Sequence, residues 1–505
     1  MNIADSERFR TILRSLGLEE ASSREEADLI VFNTCSVKQS AENRIYGLSG
    51  AINTLKSQNS NLKIVLTGCM ARREFKKSKD GKKHKKLIAE IKSRAPWIDI
   101  VIETTEFNSI ADELGKLGIH LKNLEKNEKA IFEPHLDEAD KFLNVQRTPL
   151  TSATSGITIS HGCDHMCSYC IVPFARGREI PRSVEPILNE VKDALNSGSN
   201  DIILLGQTVN RWINPDFQKE YLSGNFIQTR IENLNKTRMN DSQSQPKDFL
   251  QLLETIDELD GDFWLSFMSS HPNYFTKELI DFIAESVKRG QDKSGTGHMR
   301  PYIHLALQSG NDEMLNKMRR NHQIGEFIEK VEYMRETIPE VAISTDIIVG
   351  FSGETEEQFQ DTMDVCKRLE FDQIFISEYS QREGTGSSFM KDDVPHSEKA
   401  HRKDTLNELL KITALKNNEK LQETTQKVLV TNKKRKHSSN KASSKSTGKT
   451  ITATYQGRTA HNKLVQFEYS SQIGESKDSI RIGEFVDLKI KSITPWALQG
   501  QLIGK

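Results

Sequence analysis

Short apolar runs alternate with longer amphipathic stretches along the first part of the chain. Three of the runs, at residues 27–32, 63–66 and 99–102, are rich in Ile, Val and Leu and are typical of strands. The amphipathic stretches between them are long enough to form helices. Because strands that alternate with helices form parallel sheets, we predict a small parallel α/β domain at residues 1–124.

The same rhythm continues through the middle of the chain. Six further strand candidates, separated by helix-length sequence, lie at residues 156–160, 201–205, 263–267, 302–307, 342–349 and 373–379. Right-handed crossovers curve such βα units into a barrel, and six units fall short of the eight in a full one. We therefore predict a partial (β/α)6 barrel at residues 155–395, with its site at the carboxyl ends of the strands.

The remaining segments are polar or change their periodicity. Residues 125–154 contain two prolines and predict a linker, and the polar residues 214–247 predict a surface insertion. A helical pattern at residues 396–426 predicts a connector. Residues 427–505 then predict a small β-barrel, with strands at 451–455, 464–469, 485–490 and 498–502. The predicted fold is that of a multidomain α/β protein.

Composition and charge limit the class of protein. The chain has 505 residues, 36% of them hydrophobic and 28% charged, and its longest apolar runs are far below the roughly 18 residues of a membrane span. Residues 1–7 do not resemble a secretory signal, so we expect no membrane segment and a cytoplasmic location. The net charge of −1 favours no partner, although the lysine-rich runs 76–86 and 427–449 suit either RNA contacts or solvated insertions.

Three of the six cysteines, Cys163, Cys167 and Cys170, lie within eight residues directly after a predicted strand. Thiolates are the preferred ligands of iron–sulfur clusters, and three of them leave one iron of a four-iron cluster open. Such an iron can bind the amino and carboxylate groups of S-adenosylmethionine (SAM), which a reduced cluster cleaves to a 5′-deoxyadenosyl radical. The alternative is a zinc site with His161 or His165 as the fourth ligand.

Several motifs together resemble a single family. They lie at residues 33–37, 67–70, 162–178, 205–210, 270–272, 304–310 and 346–354. Over almost its whole length the chain resembles the methylthiotransferases of the radical SAM superfamily. Its motifs are most similar to the branch that makes 2-methylthio-N6-isopentenyladenosine in tRNA. The resemblance implies an N-terminal methylthiotransferase domain that here lacks its first strand, a radical SAM barrel and a C-terminal TRAM domain.

The resemblance also implies an activity and its partners. A methylthio group is added at C2 of N6-isopentenyladenosine beside the anticodon, at position 37, and SAM supplies both the radical and the methyl group. The implied partners are the tRNA anticodon stem-loop, an electron donor and a sulfur donor, and the enzyme is expected to be a monomer. Two alternatives stay open: a sister branch acting on threonylcarbamoyl-adenosine or a ribosomal protein, and an RNA-binding iron–sulfur protein without turnover.

A second 4Fe–4S cluster is implied in the N-terminal domain, with Cys35 and Cys69 as ligands at the ends of their strands. The family uses three cysteines there, and the third would come just before residues 1–6. We expect that translation begins upstream of Met1; the alternative is an incomplete auxiliary site. Cys366 fits an amphipathic helical pattern and is interpreted as a core residue.

Four other side chains are candidates for binding SAM. Tyr169 is placed either to lie over the adenine or to pack beneath the cysteine loop. Gln207, Ser270 and Gln308 each follow a predicted strand, where they contact SAM or cap the strand end. The glycine-containing turn at residues 350–354 is predicted to line the same site.

In the C-terminal domain, four residues resemble the basic and aromatic surface with which TRAM modules grip RNA. They are Tyr455, Arg458, His461 and Lys463. A purely structural lid is the alternative for this domain.

Overall fold

The computed structural model describes residues 1–36, 39–71, 82–119, 121, 142–147, 153–217, 245–292, 295–435, 450–472 and 480–503. Most of the predicted linker and of the predicted surface insertion lie outside these ranges, as do large parts of both lysine-rich runs. None of the helices within the ranges is long and apolar enough to cross a membrane.

The N-terminal region is built on a parallel three-stranded sheet. Its strands, in the order β1-β2-β3, are β1 (Leu29–Thr34), β2 (Lys63–Gly68) and β3 (Ile100–Val101). Its helices are α1 (Asn2–Ser15), α2 (Gln39–Tyr46), α3 (Ser49–Gln58), α4 (Lys82–Arg94) and α5 (Ile110–Lys116). The predicted parallel α/β arrangement is confirmed. Both β1 and β2 end at the residue directly before a cysteine, Cys35 and Cys69 respectively.

Part of the predicted linker belongs to this N-terminal core. The side chain of Phe142 is fully buried, and its ring centroid lies 5.2 Å from that of Phe9 on α1. Arg147 pairs with Glu7 (2.7 Å) and also with Glu190 of the following barrel. Residues 142–147 therefore join the two regions through a buried contact.

The central region contains the six predicted barrel strands. Its strands are β4 (Thr154–Thr158), β5 (Ser160–His161), β6 (Ile180–Pro181), β7 (Asp201–Leu205), β8 (Trp264–Met268), β9 (Tyr302–His304), β10 (Ala342–Val349) and β11 (Gln373–Glu378). Among the described residues, strands β5 and β6 pair only with each other. The other six are parallel, in two three-stranded sheets that isolated bridges connect between β8 and β9. The partial (β/α)6 barrel is confirmed.

Helices cover the outside of the barrel. Apart from the short α6 (Val172–Arg176) and α10 (Asp312–Lys317), which lie beside the cysteine loop, they are α7 (Val184–Asn196), α8 (Phe249–Asp257), α9 (Lys277–Gln291), α11 (Ile324–Thr337) and α12 (Glu356–Leu369). Every second strand residue, such as Ile202, Leu265 and Ile347, is buried in one core with these helices. Cys366 lies in the same core, as predicted. The alternate strand residues point into the barrel, because successive side chains of a strand face opposite ways.

The C-terminal region differs from the prediction at its start. Helix α13 (His396–Glu419) ends seven residues before the predicted limit of 426, and β12 (Thr425–Arg435) follows. The other strands are β13 (Thr450–Thr459), β14 (Leu464–Gln472), β15 (Phe485–Ile493) and β16 (Leu498–Leu502). Together they form a closed five-stranded barrel, which confirms the small β-barrel. The sequence pattern missed β12 because its apolar centre, Val428 to Val430, runs directly into lysines.

The C-terminal β-barrel packs against the amino ends of the central strands. The Trp264 ring, at the start of β8, lies 4.7 Å from that of Phe485. Arg300, just before β9, donates hydrogen bonds to the carbonyls of Thr459 (2.8 Å) and Ala460 (2.9 Å). The C-terminal β-barrel therefore lies at the opposite end of the strands from the cysteine loop.

Candidate functional site

The cysteine loop begins with a turn that only glycine accommodates. Gly162 has φ of +74°, and a side chain there would lie 2.0 Å from the carbonyl oxygen of Arg178. The next residue, Cys163, donates its backbone N–H to the Gly177 carbonyl (3.2 Å). The loop is thus fixed against the segment that leaves it, directly at the carboxyl end of β4.

All three of the loop's sulfur atoms accept hydrogen bonds, and Cys163 Sγ receives one from the backbone N–H of His165 (3.4 Å). The backbone N–H of Val172 donates to Cys170 Sγ (3.5 Å), and the buried guanidinium of Arg320 donates to Cys167 Sγ (3.6 Å). Donors and positive charge of this kind stabilise sulfur that carries negative charge. The loop is therefore prepared to hold thiolates.

Burial keeps the thiols of Cys163 and Cys170 protonated as long as no metal is bound. It raises the pKa of Cys163, and with the help of Cys167 it raises the pKa of Cys170 to about 12. Metal binding supplies the charge that such buried thiols need to become thiolates. Three soft donors with hydrogen-bonded sulfur atoms fit an iron–sulfur cluster. Across the described ranges, no three His, Cys, Asp or Glu side chains are arranged to hold a single metal ion.

Of the predicted SAM-binding residues, Tyr169 belongs to this loop, and Ser270 and Gln308 follow the carboxyl ends of β8 and β9. Tyr169 packs against the apolar cluster of Phe351 and Tyr379 and stays partly exposed. The hydroxyl of Ser270 is buried and has no hydrogen-bond partner among the described residues. Gln308 has φ of +78°, which is strained for a residue other than glycine. Unsatisfied polar atoms and strained backbone cluster at ligand sites.

The N-terminal cysteines form a second group. The ends of β1 and β2 are adjacent in the sheet, and they bring Cys35 and Cys69 into hydrogen-bond contact. That hydrogen bond, together with the charge of Arg176, lowers the pKa of Cys69 to about 6 in spite of its burial. The Arg176 guanidinium donates to Cys69 Sγ through Nε (3.2 Å). A thiolate, or a metal-bound sulfur, is therefore favoured at Cys69.

A cavity of about 550 Å³ opens beside this second group, between the N-terminal sheet and the central barrel. Its lining residues are Met1, Asn2, Cys35, Ser40, Ala41, Arg44, Cys69, Val172, Arg176 and Gln207. The side chain of Gln207 donates to Met1 Sδ (2.7 Å), while the hydroxyl of the next residue, Thr208, lies 3.6 Å from Cys163 Sγ. Of two consecutive residues after β7, Gln207 thus lines the cavity beside Cys35 and Cys69, and Thr208 contacts Cys163. Gln207, predicted to contact SAM, lies beside the N-terminal cysteines.

Sequence reasoning missed Arg176, which ties the two regions together. Its guanidinium is buried and donates to Asp5 (2.8 Å) and Asn2 (3.0 Å) at the start of α1. It also missed Arg320, the cation beside Cys167. Arg176 lies inside the 162–178 motif, and this position was the one feature of the sequence that could have marked it as a functional residue. Its role depends on how two distant segments dock.

Most of the residues predicted to bind RNA in the C-terminal β-barrel are buried or make contacts within the chain. Tyr455 is buried, and its ring stacks on Phe467 at 5.4 Å. Lys463 pairs with Asp372 of the central barrel (2.5 Å) and is largely buried. The structural alternative therefore fits both residues, and His461 is buried as well. Arg458 stays exposed.

Comparison with known proteins agrees with this architecture. The model of the Radical SAM superfamily matches residues 157–366, and that of Uncharacterized protein family UPF0004 matches residues 1–90. A protein of Clostridium tetani named tRNA-2-methylthio-N(6)-dimethylallyladenosine synthase is 34% identical over 501 residues, covering 99% of this chain and 94% of that protein. A protein of Corynebacterium urealyticum with the same name is 33% identical, covering 99% of this chain and 79% of that protein.

Among solved structures, the radical SAM methyltransferase TsrM of Kitasatospora setae matches 73% of this chain and 64% of its own, with 15% identity and a TM-score of 0.39. A similarity of that size does not define a shared fold. The family evidence is the full-length identity to the named synthases. Radical SAM enzymes use a 4Fe–4S cluster and SAM. The chain belongs to the radical SAM methylthiotransferase family, in the branch of the tRNA-2-methylthio-N(6)-dimethylallyladenosine synthases.

Proposed function

We propose that this chain adds a methylthio group to C2 of N6-isopentenyladenosine at position 37 of tRNA, beside the anticodon. Isopentenyl and dimethylallyl are two names for the same substituent, so the proposal matches the names of the full-length relatives. The observation that carries it is the meeting of two cysteine groups at the mouth of one barrel, where Thr208 contacts Cys163 and the adjacent Gln207 lines the cavity beside Cys35 and Cys69.

In this proposal the loop cysteines Cys163, Cys167 and Cys170 hold the cluster that binds SAM. When bound, that cluster supplies the electron that cleaves SAM to a 5′-deoxyadenosyl radical. Arg320 steadies Cys167 by donating to its sulfur. The residues at the strand ends then bind SAM, because SAM needs an apolar surface for its adenine and polar partners for its hydroxyl and charged groups.

We assign the binding of SAM to Tyr169, Ser270 and Gln308. The partly exposed ring of Tyr169, backed by an apolar cluster, offers a face to the adenine. The hydroxyl of Ser270 has an unused hydrogen-bonding capacity that a polar group of SAM fills. The strained backbone at Gln308 turns its side chain out of the strand pattern at the barrel mouth.

Cys35 and Cys69 hold the second cluster, next to Gln207. Arg176 donates to Cys69 and orients it, while its ion pair with Asp5 fixes the guanidinium. The partners are then the tRNA anticodon stem-loop, an electron donor and a sulfur donor. We propose that the enzyme acts as a monomer.

The test is nucleoside analysis. Protein reconstituted anaerobically with iron and sulfide is incubated with SAM, a reductant and tRNA that carries N6-isopentenyladenosine, and the digested tRNA is examined by mass spectrometry. We expect 2-methylthio-N6-isopentenyladenosine from the wild type and from Cys366→Ala, whose thiol is buried in the core. We expect neither this product nor 5′-deoxyadenosine from Cys163→Ala. Modification of threonylcarbamoyl-adenosine or of a ribosomal protein in its place would contradict the proposal.

A further inference from the structure

Phe389 is the most exposed large apolar side chain among the described residues, with 88% of its surface accessible. An exposed phenyl ring forgoes the stabilisation that burial gives an aromatic side chain. An apolar side chain on a loop close to a functional site is therefore expected to have a partner. The question is what kind of partner this position can meet.

The loop that carries Phe389 is tightly built. The backbone N–H of Ser387 donates to the carbonyl of Ser168 (2.7 Å). The amide of Gln381 spans the loop and donates to the carbonyl of Met390 (3.0 Å). The Met390 side chain packs on the apolar cluster beneath the loop. The phenyl ring is thus displayed from a backbone that hydrogen bonds hold in place, and little conformational freedom remains to be lost when it binds.

The same loop borders both halves of the proposed site. Ser168 lies between Cys167 and Tyr169, so Phe389 is carried on a segment seated on the cysteine loop. At the other end of the loop, Arg382 donates a hydrogen bond to the side-chain oxygen of Gln39 (2.7 Å). Gln39 begins α2, the helix that follows Cys35 of the second cysteine group. The loop therefore borders the space between the two cysteine groups.

We propose that Phe389 stacks on an unpaired RNA base next to the target adenosine and holds the target base extended into the barrel mouth. This inference rests on the proposed function. Bases in single-stranded loops are recognised by stacking on aromatic rings, and a base that is moved into an active site leaves its former neighbour without a stacking partner. An apolar ring that takes the vacated place stabilises the extended arrangement.

The chemistry of the ring favours a base over a phosphate as the partner. A phenyl group carries no charge and donates no hydrogen bond, so it gains nothing from phosphates, but every base offers a π-face. Its contribution should therefore be the same at low and high salt. Lysine and arginine contacts, in contrast, weaken steeply as salt is added.

The experiment measures binding of an anticodon stem-loop RNA that contains N6-isopentenyladenosine. The reconstituted full chain is titrated anaerobically into the labelled RNA, and fluorescence anisotropy gives Kd. Phe389→Ala should bind about 5- to 150-fold more weakly at every salt concentration, the range for loss of one stacked base. Phe389→Trp should bind about as well as the wild type, since indole also stacks. The matched control is Ile412→Ala on α13, which removes another exposed apolar side chain (67%) far from the mouth and should not change Kd.

Two further RNAs identify the partner base. Each lacks one base, on the 5′ or the 3′ side of the target. On one of them the penalty of Phe389→Ala should fall several-fold, because the base that stacks on the ring is gone. A penalty that is unchanged on both RNAs, or a Phe389→Ala variant that binds as tightly as the wild type, overturns the role of Phe389 and leaves the methylthiotransferase proposal standing. A wild-type protein that neither binds nor modifies the stem-loop overturns both.

Discussion

Arg176→Met tests whether a buried arginine holds the N-terminal region on the central barrel. The substitution keeps most of the side-chain volume but removes the charge, so Asp5 loses a partner at 2.8 Å while remaining fully buried. The hydrogen bonds to Asn2 and Cys69 disappear as well. Removing one member of a buried ion pair costs about 3–5 kcal/mol, because the other charge is left without compensation.

The pH dependence of this contribution has a definite sign. Burial alone would raise the pKa of Asp5, but Arg176 and other nearby cations outweigh it and hold the pKa below its usual range. A carboxyl group whose pKa is depressed by folding stabilises the folded state above its unfolded pKa of about 3.9. That stability is lost as the pH falls through the lower folded value. Without Arg176 the folded pKa rises, so this stabilising contribution is lost at neutral pH, and the difference in stability between the wild type and the variant should narrow as the pH falls.

The assay is hydrogen–deuterium exchange of the α1 amides in the metal-free protein, which gives the free energy of local opening. Arg178→Met is the control, because Arg178 is exposed and lies only two residues away. The double variant Asp5→Asn with Arg176→Met should regain much of the loss, since no buried charge remains unpaired. A loss below about 1 kcal/mol in the single variant, or a double variant that is no more stable, would refute the reasoning.

Three further predictions concern other parts of the chain. In the metal-free protein, iodoacetamide should alkylate Cys69 with a pH midpoint near its pKa of about 6. At pH 7 it should leave Cys170, whose pKa is about 12, unlabelled. Equal labelling of the two cysteines by mass spectrometry would contradict this. Gly350→Ala should lower the free energy of unfolding by at least about 1–2 kcal/mol, because Gly350 has φ of +70° and the new Cβ would clash with Lys399 of α13. The control Gly325→Ala lies on an open helix face and should leave the free energy of unfolding unchanged. Lys463→Met should weaken attachment of the C-terminal β-barrel by about 1–3 kcal/mol, and unchanged protease resistance would count against that.

Local patterns in the sequence were enough to predict the elements that depend on local burial. Strands β7 and β10 match their predicted limits, because each is a short apolar run whose outward face must be covered by helices. The cysteine loop was also identified from the sequence, since its three thiols come from one short segment. The family, and with it the activity, followed from motifs spread along the chain. Strand β12 was missed because its lysines concealed the apolar centre.

The sequence by itself determined the order of the domains, the cysteine loop and the kind of chemistry that three thiols support. Only the tertiary structure decided that Arg176 lies against Cys69, that Gln207 borders the N-terminal cysteines, that Tyr455 is buried, and that Lys463 pairs with Asp372. The physical reason is that a sequence pattern is local, whereas these contacts join distant segments of the chain. Periodicity reports which face of a single element is buried, whereas docking joins residues that lie far apart in the chain, and no local pattern records which partner they meet.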